Sequence, residues 1–198
     1  MEEGLWASGY NLVAGVDEVG RGPLAGPVVV AAVIIPPGNF PLMLEGVRDS
    51  KELTPQARER LLGPIYQQAI AWGVGMASHQ EVDDRGLGVA IIEAICRAVA
   101  QLDPSPQFLI VDGRPLPRLP WPHRGVVDGD ALSLSIAAAS IVAKVTRDRL
   151  MVEMDRQYPG YAFARNKGYG TAEHLACLQR LGPCPIHRRS FAPVQECR

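Results

Sequence analysis

Short apolar runs alternate with amphipathic stretches along this chain. Leu12 to Glu18 reads as a buried strand. Val28 to Ile35, rich in β-branched residues and closed by Pro36-Pro37, reads as a second. The Gly/Pro-rich turn between them, Gly20 to Pro27, is too short for a crossover, so an antiparallel pair is expected. Thr54-Pro55 joins an N-cap residue to a proline at the first helical position and predicts a helix to about Ile70. Trp72 to Ser78 alternates weakly, as a third strand. Ile91, Ile92, Ile95 and Val99 give Val89 to Leu102 helical periodicity, and Gln107 to Val111 is a compact strand closed by Asp112-Gly113. Arg114 to Pro122 is expected to be a proline-rich surface loop. Asp130 then opens a helix expected to reach about Gln157, where Pro159-Gly160 stops it. A last helix covers about Ala172 to Leu181.

Strands first, then strands mixed with helices, predict an α/β fold with a mixed sheet flanked by helices. At 198 residues, with no repeat or linker, the chain suits a single domain, 1–198. Its 47% apolar and 21% charged content is that of a globular protein. The start, MEEGLWASGY, has acidic residues where a secretory signal needs basic ones. The longest apolar run, Val28 to Ile35, is far short of the roughly 20 residues of a membrane helix. No membrane association and a cytoplasmic location are therefore expected. Cys96, Cys177, Cys184 and Cys197 form no CxxC pair and read as reduced thiols.

A net charge of −1 argues against indiscriminate nucleic-acid binding. Its distribution is uneven. The first 138 residues carry 10 basic and 16 acidic side chains, and the last 60 carry 10 and 5. An acidic body with a basic final third suits a protein that holds a metal in one part and phosphates in the other. Only Lys51, Lys144 and Lys167 are lysine among the 20 basic residues.

Four carboxylates are candidates for chemistry. Asp17 and Glu18 end the first strand, Asp112 closes FLIVD, and Asp130 opens the long helix. Taken singly, each has an ordinary role as a turn residue or cap. Asp112 is the hardest to dismiss, because a charge beside so apolar a run needs a partner. Together the acids are oxygen ligands suited to Mg²⁺ or Mn²⁺. Two such ions activate a water and stabilise the leaving oxygen in phosphodiester cleavage. Asp17 and Glu18, adjacent on a strand, should point to opposite faces. They share one site if the strand breaks at Val19-Gly20, or if Glu18 contributes through its carbonyl.

Six blocks, in order, resemble the type-2 ribonuclease H family: VAGVDEVGRGPLAGP (Val13 to Pro27), DSKEL (Asp49 to Leu53), IVDG (Ile110 to Gly113), GDALSLSIAAASIVAKVTRD (Gly129 to Asp148), KGYGTAEH (Lys167 to His174) and PIHRRSF (Pro185 to Phe191). The resemblance implies a ribonuclease-H-like sheet with a C-terminal helical extension over about residues 160–198. It also implies a two-metal site on Asp17, Glu18, Asp112 and Asp130. The implied reaction is cleavage of the RNA strand of RNA–DNA hybrids, and cleavage 5′ of single ribonucleotides in duplex DNA, leaving 3′-hydroxyl and 5′-phosphate. A monomer is expected. Asn166 stands where many members have His, and Cys184 where a small polar residue is common.

The binding residues also have a physical reading. Gly20-Arg21-Gly22 is a tight turn whose amides can approach a phosphate or a 2′-hydroxyl. Asp130, Ser133, Ala137, Ser140, Lys144 and Arg147 share one helical face, a stripe from acid to cations that could run from metal site to phosphate backbone. Ser50 and Lys51 add a second phosphate contact, and Arg188 and Arg189 further ones. Tyr169, between Gly168 and Gly170, offers a stacking surface, and the resemblance assigns it to the deoxyribose after the scissile ribonucleotide. Two other readings stay open: a structure-selective DNA nuclease with the same acids, and a non-catalytic nucleic-acid-binding protein on the same fold.

Overall fold

The computed structural model describes residues 1–38 and 53–197, so Ser50 and Lys51 lie outside the described residues. Its strands are β1 (Val13–Val19), β2 (Val28–Ile34), β3 (Ala71–Ala77), β4 (Phe108–Asp112) and β5 (His123–Val126). They form one mixed sheet in the order β3-β2-β1-β4-β5. β1 and β2 pair antiparallel, as the short turn requires, and so do β2 and β3, while β1, β4 and β5 run parallel. The helices are α1 (Glu2–Ala7), α2 (Pro55–Gln68), α3 (His79–Arg85), α4 (Leu87–Val99), α5 (Gly129–Leu132), α6 (Leu134–Gln157), α7 (Phe163–Asn166), α8 (Ala172–Leu181) and α9 (Ala192–Gln195).

The two-residue period of β2 divides the core. Val29, Ala31 and Val33 pack with α2 and α6, while Val28, Val30, Ala32 and Ile34 pack with α4. Every residue of β2 is buried, which explains a continuous apolar run in place of alternation. Two glycines set the distance from helix to sheet. A methyl group at Gly15 would lie 2.2 Å from the Ser135 carbonyl carbon, and one at Gly75 would lie 1.9 Å from the Ala94 oxygen. Hence α6 rests directly on β1, and α4 on β3. Among the described residues, no helix is long and apolar enough to cross a membrane.

Several elements differ from the sequence expectation, the short helices α1, α7 and α9 among them. A separate helix, α3, precedes α4; Ser78 and Glu81 start it with a reciprocal capping box. β5 follows the proline-rich stretch. That stretch is not a free surface loop, because Leu119 is buried and Leu116 and Trp121 pack on the core. The helix expected to run unbroken from Asp130 is two helices. Ser133 leaves the helical region (φ −134°, ψ 127°), and its side chain accepts from the Ile136 amide at 3.1 Å as the cap of α6. Glu2 of α1 seals this junction, accepting from both serine hydroxyls, Ser133 (2.7 Å) and Ser135 (2.8 Å), and from the Ser135 amide (2.9 Å). Its carboxyl stays below the ordinary range: burial pushes it up, and these donors outweigh that.

Beyond α6 the chain builds its own small cores. Tyr161, Phe163, Cys184 and Ile186 pack around Met151 and Ala25, and Leu178 and Val194 pack around Leu24. The 20–27 turn therefore joins the sheet to the C-terminal segment.

Candidate active site

β1 and β4 are parallel neighbours with Val16 opposite Val111, so Asp17 and Asp112 emerge side by side at the same end of the sheet. Alternation carries Asp17 toward α6 and Glu18 toward α4. Two cavities flank the sheet end there. One, about 360 Å³, is lined by Asp17, Glu18, Asp112, Arg58, Ser140, Lys144 and Tyr169. The other, about 340 Å³, is lined by Glu18, Asp112, Arg21, Gly88, Ile91 and Arg114. Glu18 and Asp112 belong to both. The strand does stop at Val19-Gly20: its ladder with β2 ends at Val19 opposite Val29, and Gly20 turns away with φ +98°. The cleft wraps over that end of the sheet.

Like charges accumulate in this cleft. Burial, then Glu18, then Asp112, push the Asp17 carboxyl up to about 7; the Ser140 hydroxyl and the Glu18 amide (2.7 Å) offset only part of that. Burial also raises Glu18, against the pull of the Arg21 guanidinium at 2.9 Å. Asp112 accepts the Gly129 amide at 2.8 Å, which ties the end of β4 to the start of α5. Asp130, the next residue, is buried and does not line either cavity. The structure thus gathers three of the four acids and leaves the fourth one residue from their hydrogen-bond network. Among the described residues, no group of three or more acidic, His or Cys side chains is set to enclose an ion as it stands. The donor chemistry nonetheless fits a hard divalent cation: oxygen ligands only, with repulsion that such a charge would relieve.

On the cleft's other wall, Lys144 follows Ser140 by one turn of α6 and pairs with Asp148 at 2.7 Å. Tyr169 is exposed, with the Arg147 guanidinium 5.7 Å from its ring centre. Arg58, unnoticed in the sequence, joins them from the first turns of α2. Its one sequence signal is its place just after the Asp49 to Leu53 block.

Two expected phosphate contacts are corrected. Arg147 is fully buried; its Nε, Nη1 and Nη2 donate to the carbonyls of Pro27 (3.0 Å), Lys167 (2.9 Å) and Ala25 (3.1 Å). The stripe along α6 therefore reaches solvent only as far as Lys144, and its Ser133 is a buried cap. Arg188 is also fully buried, donating to the carbonyls of Gly20 (2.6 Å), Arg21 (3.0 Å) and Gly26 (2.9 and 3.1 Å). The reason lies in the 20–27 turn, whose inward carbonyls need donors, and in the guanidinium fork, which supplies five. Burial, then the Arg147 charge, bring Arg188 down to about 10.

Below Tyr169 runs a one-way chain of hydrogen bonds. The Cys184 amide donates to His187 Nδ1 at 3.0 Å, so the His187 proton resides on Nε2. That nitrogen donates to His174 Nε2 at 3.1 Å, which leaves the His174 proton on Nδ1, donating to the Tyr169 carbonyl at 2.9 Å. Both rings are buried and neutral. Burial, then His174, bring His187 down to about 4.

Solved structures define the class. The crystal structure of ribonuclease H2 from Pyrococcus horikoshii aligns with a TM-score of 0.79 and 29% identity, over 93% of this chain and 96% of that one. Bst-RNase HIII in complex with Mn²⁺ aligns with a TM-score of 0.74 at 19% identity, over 94% and 68%, a likeness of fold alone. This is a ribonuclease-H-type sheet with carboxylates at its strand ends. The family model described as Ribonuclease HII matches residues 14–194. Ribonuclease HII of Desulfitobacterium hafniense is 55% identical over 195 residues, 98% of this chain and 74% of that one. Ribonuclease HII of Dehalococcoides mccartyi is 52% identical over 197 residues, 98% and 92%. The chain belongs to the ribonuclease HII family and is a ribonuclease H enzyme.

Proposed function

We propose that this enzyme hydrolyses the RNA strand of RNA–DNA hybrids and also cuts duplex DNA 5′ of a single embedded ribonucleotide, leaving 3′-hydroxyl and 5′-phosphate. Asp17, Glu18, Asp112 and Asp130 hold two divalent cations, Mg²⁺ or Mn²⁺. Such ions supply an activated water and stabilise the leaving oxygen. The observation that carries this reading is the crowding of Asp17, Glu18 and Asp112, with Asp17 raised to about 7 in a cleft open to solvent. Asp130 would complete the ligand set from the α5 start, which the Gly129–Asp112 hydrogen bond ties to β4.

The chain's own groups prepare the substrate. Lys144 and Arg58 meet the phosphate backbone beside the acids, and Ser50 and Lys51 extend that contact. The Gly20-Arg21-Gly22 turn reads the 2′-hydroxyl on one side of the cut, and the Tyr169 ring packs on the deoxyribose on the other. Arg21, held on Glu18 at 2.9 Å, becomes free for a phosphate once that carboxylate is engaged elsewhere.

The test is a DNA duplex bearing one ribonucleotide, incubated with Mg²⁺, with Mn²⁺ and with chelator, its product ends mapped, beside a hybrid and an all-DNA duplex. Cleavage of the first two, 5′ of the ribonucleotide and only with metal, is expected. Cleavage of all-DNA duplex at a similar rate would point instead to a structure-selective nuclease. Cleavage undiminished by chelator would remove the metal assignment.

A further inference from the structure

Arg188 does more than fill a buried space. Its side chain collects the carbonyls of Gly20, Arg21 and Gly26, and its own amide donates to the Leu24 carbonyl at 2.8 Å. One residue from the C-terminal segment thus holds most of the 20–26 turn. The direction of that hold has a consequence at the opposite side of the turn. Among the described residues, the only cis bond is Asp103-Pro104, so Gly20-Arg21 and Arg21-Gly22 are trans. In a trans peptide the carbonyl of one residue and the N–H of the next point opposite ways. Carbonyls of Gly20 and Arg21 drawn inward to the guanidinium therefore aim the amides of Arg21 and Gly22 outward. Both residues are exposed, and among the described residues neither amide has an acceptor. Successive main-chain amides facing one way make a seat for an oxygen acceptor or anion.

We propose that Arg188 is a positioning residue for substrate recognition: it fixes the turn so that the Arg21 and Gly22 amides form a two-donor seat for an oxygen of the nucleic acid. The inference rests on the ribonuclease reading above and adds to it the group that sets the seat. The seat's chemistry fits a ribose 2′-hydroxyl or a phosphate oxygen. A lysine cannot replace the planar fork, because an ammonium on a flexible stem does not hold carbonyls of three residues in fixed directions.

The experiment uses ¹⁵N-labelled protein without metal, so it does not depend on turnover. The Arg21 and Gly22 amide resonances are followed as a short RNA–DNA hybrid, a DNA duplex of the same sequence and inorganic phosphate are added in turn. Both resonances should move with the hybrid. Movement with phosphate and DNA as well assigns the seat to phosphate; movement with the hybrid alone assigns it to the 2′-hydroxyl. If the hybrid shifts other resonances and leaves these two unmoved, the proposal is overturned, and this holds even if no Arg188 variant folds. Arg188→Lys, measured by fluorescence anisotropy, should bind the hybrid about tenfold more weakly; its affinity for DNA duplex should fall alongside if the seat takes phosphate, and change less than about twofold if it takes the 2′-hydroxyl. Unchanged affinity for the hybrid in a folded Arg188→Lys overturns this inference only. An unaltered protein that binds the hybrid but does not cleave it with metal takes down the proposed substrate reading instead.

Discussion

At the end of the sheet, Asp17, Glu18 and Asp112 crowd together partly open to solvent, and Asp17 titrates near 7. Behind the turn that leaves that sheet, Arg147 and Arg188 are buried completely, yet each makes three or four hydrogen bonds to main-chain carbonyls. Both regions concentrate one sign of charge. They differ in satisfaction: each guanidinium has its acceptors matched, while Asp17 stays raised, by burial first and by its acidic neighbours next, with donors that offset only part of it. Burial of charge alone is thus a poor marker of chemistry here, and burial left uncompensated beside like charges a better one. The satisfied region shapes loops; the unsatisfied one fits the proposed cation site.

The largest effect should come from relieving the repulsion without the cation. Asp17→Asn removes the charge of a proposed ligand at nearly constant volume, and cleavage should fall on the order of a thousandfold, about 4 kcal/mol. The same change should stabilise the metal-free protein. Asp17 titrates above its ordinary 3.8, so stability is lost as pH rises from about 3.8 to about 7, and the full burden of the ionised form is present above 7. At pH 8 in chelator, Tm should rise by about 3 °C or more, with a smaller gain at pH 5. A lower Tm in the variant at pH 8 would mean that Asp17 is not under repulsion, and the contrast between the two regions would collapse.

The second effect probes the satisfied side. His187 titrates near 4 and His174 also below 6.5, so an unfolded chain takes up their protons first as pH falls. Stability from the neutral chain of rings is complete above about 6.5 and is lost between 6.5 and 4, by about 3 kcal/mol for His187. Asp17 acts in the opposite direction, so the measurement belongs in the Asp17→Asn background, by urea denaturation from pH 8 to 4.5. Adding His187→Asn should flatten the acid decline. An equally steep decline in that double variant would show that the ring chain is not its source.

These two regions were not equally legible in the sequence. The acids stood out because strand ends punctuate apolar runs, and the alternation of Asp17 and Glu18 correctly predicts opposite faces. How both serve one cleft was legible in part: Gly20 allows the strand to stop at Val19, but only the structure shows Glu18 and Asp112 lining cavities on both sides of the sheet end. The cations misled for a definite reason. A surface phosphate contact and a buried guanidinium both read as Arg in a basic stretch, and only tertiary structure shows that the 20–27 turn brings Arg147 and Arg188 unpaired carbonyls. Ser133 hid the break before α6 in the same way: its 3–4 spacing suits a helix, but Glu2, 131 residues away, holds it as a cap. His174 and His187 lay inside recognised blocks without a distinguishing local pattern.

A smaller effect is expected at the meeting point of the regions. Tyr169 has its main chain held by His174 and its ring near Arg147, yet its side chain is exposed in the acidic cleft. Tyr169→Ala should lower kcat/KM about tenfold more on a single embedded ribonucleotide than on a continuous RNA strand, since only the first presents a deoxyribose after the cut; a stacking contact of this size is ordinary. Equal losses on both substrates would make the ring a structural part of the satisfied side.

The smallest effect concerns Lys144, which borders both kinds of charge. It lines the cavity with Asp17 and Ser140, and it is already paired with Asp148 four residues on. Half-exposed pairs of this spacing contribute about 0.3–0.5 kcal/mol, so a phosphate can compete for the ammonium. Lys144→Ala should weaken binding to all hybrid sequences about equally, by a few fold. Its more telling mark is the salt dependence: the slope of log K against log salt should become shallower by about one unit, the loss of one phosphate contact. Asp148→Ala should do the reverse in affinity, a gain of about twofold, because it releases the lysine without adding a contact. Anisotropy titrations from 50 to 200 mM salt on the three proteins decide it. If the slope is the same in all three, Lys144 serves Asp148 rather than the substrate, and the cation that faces the phosphate beside the acids is Arg58.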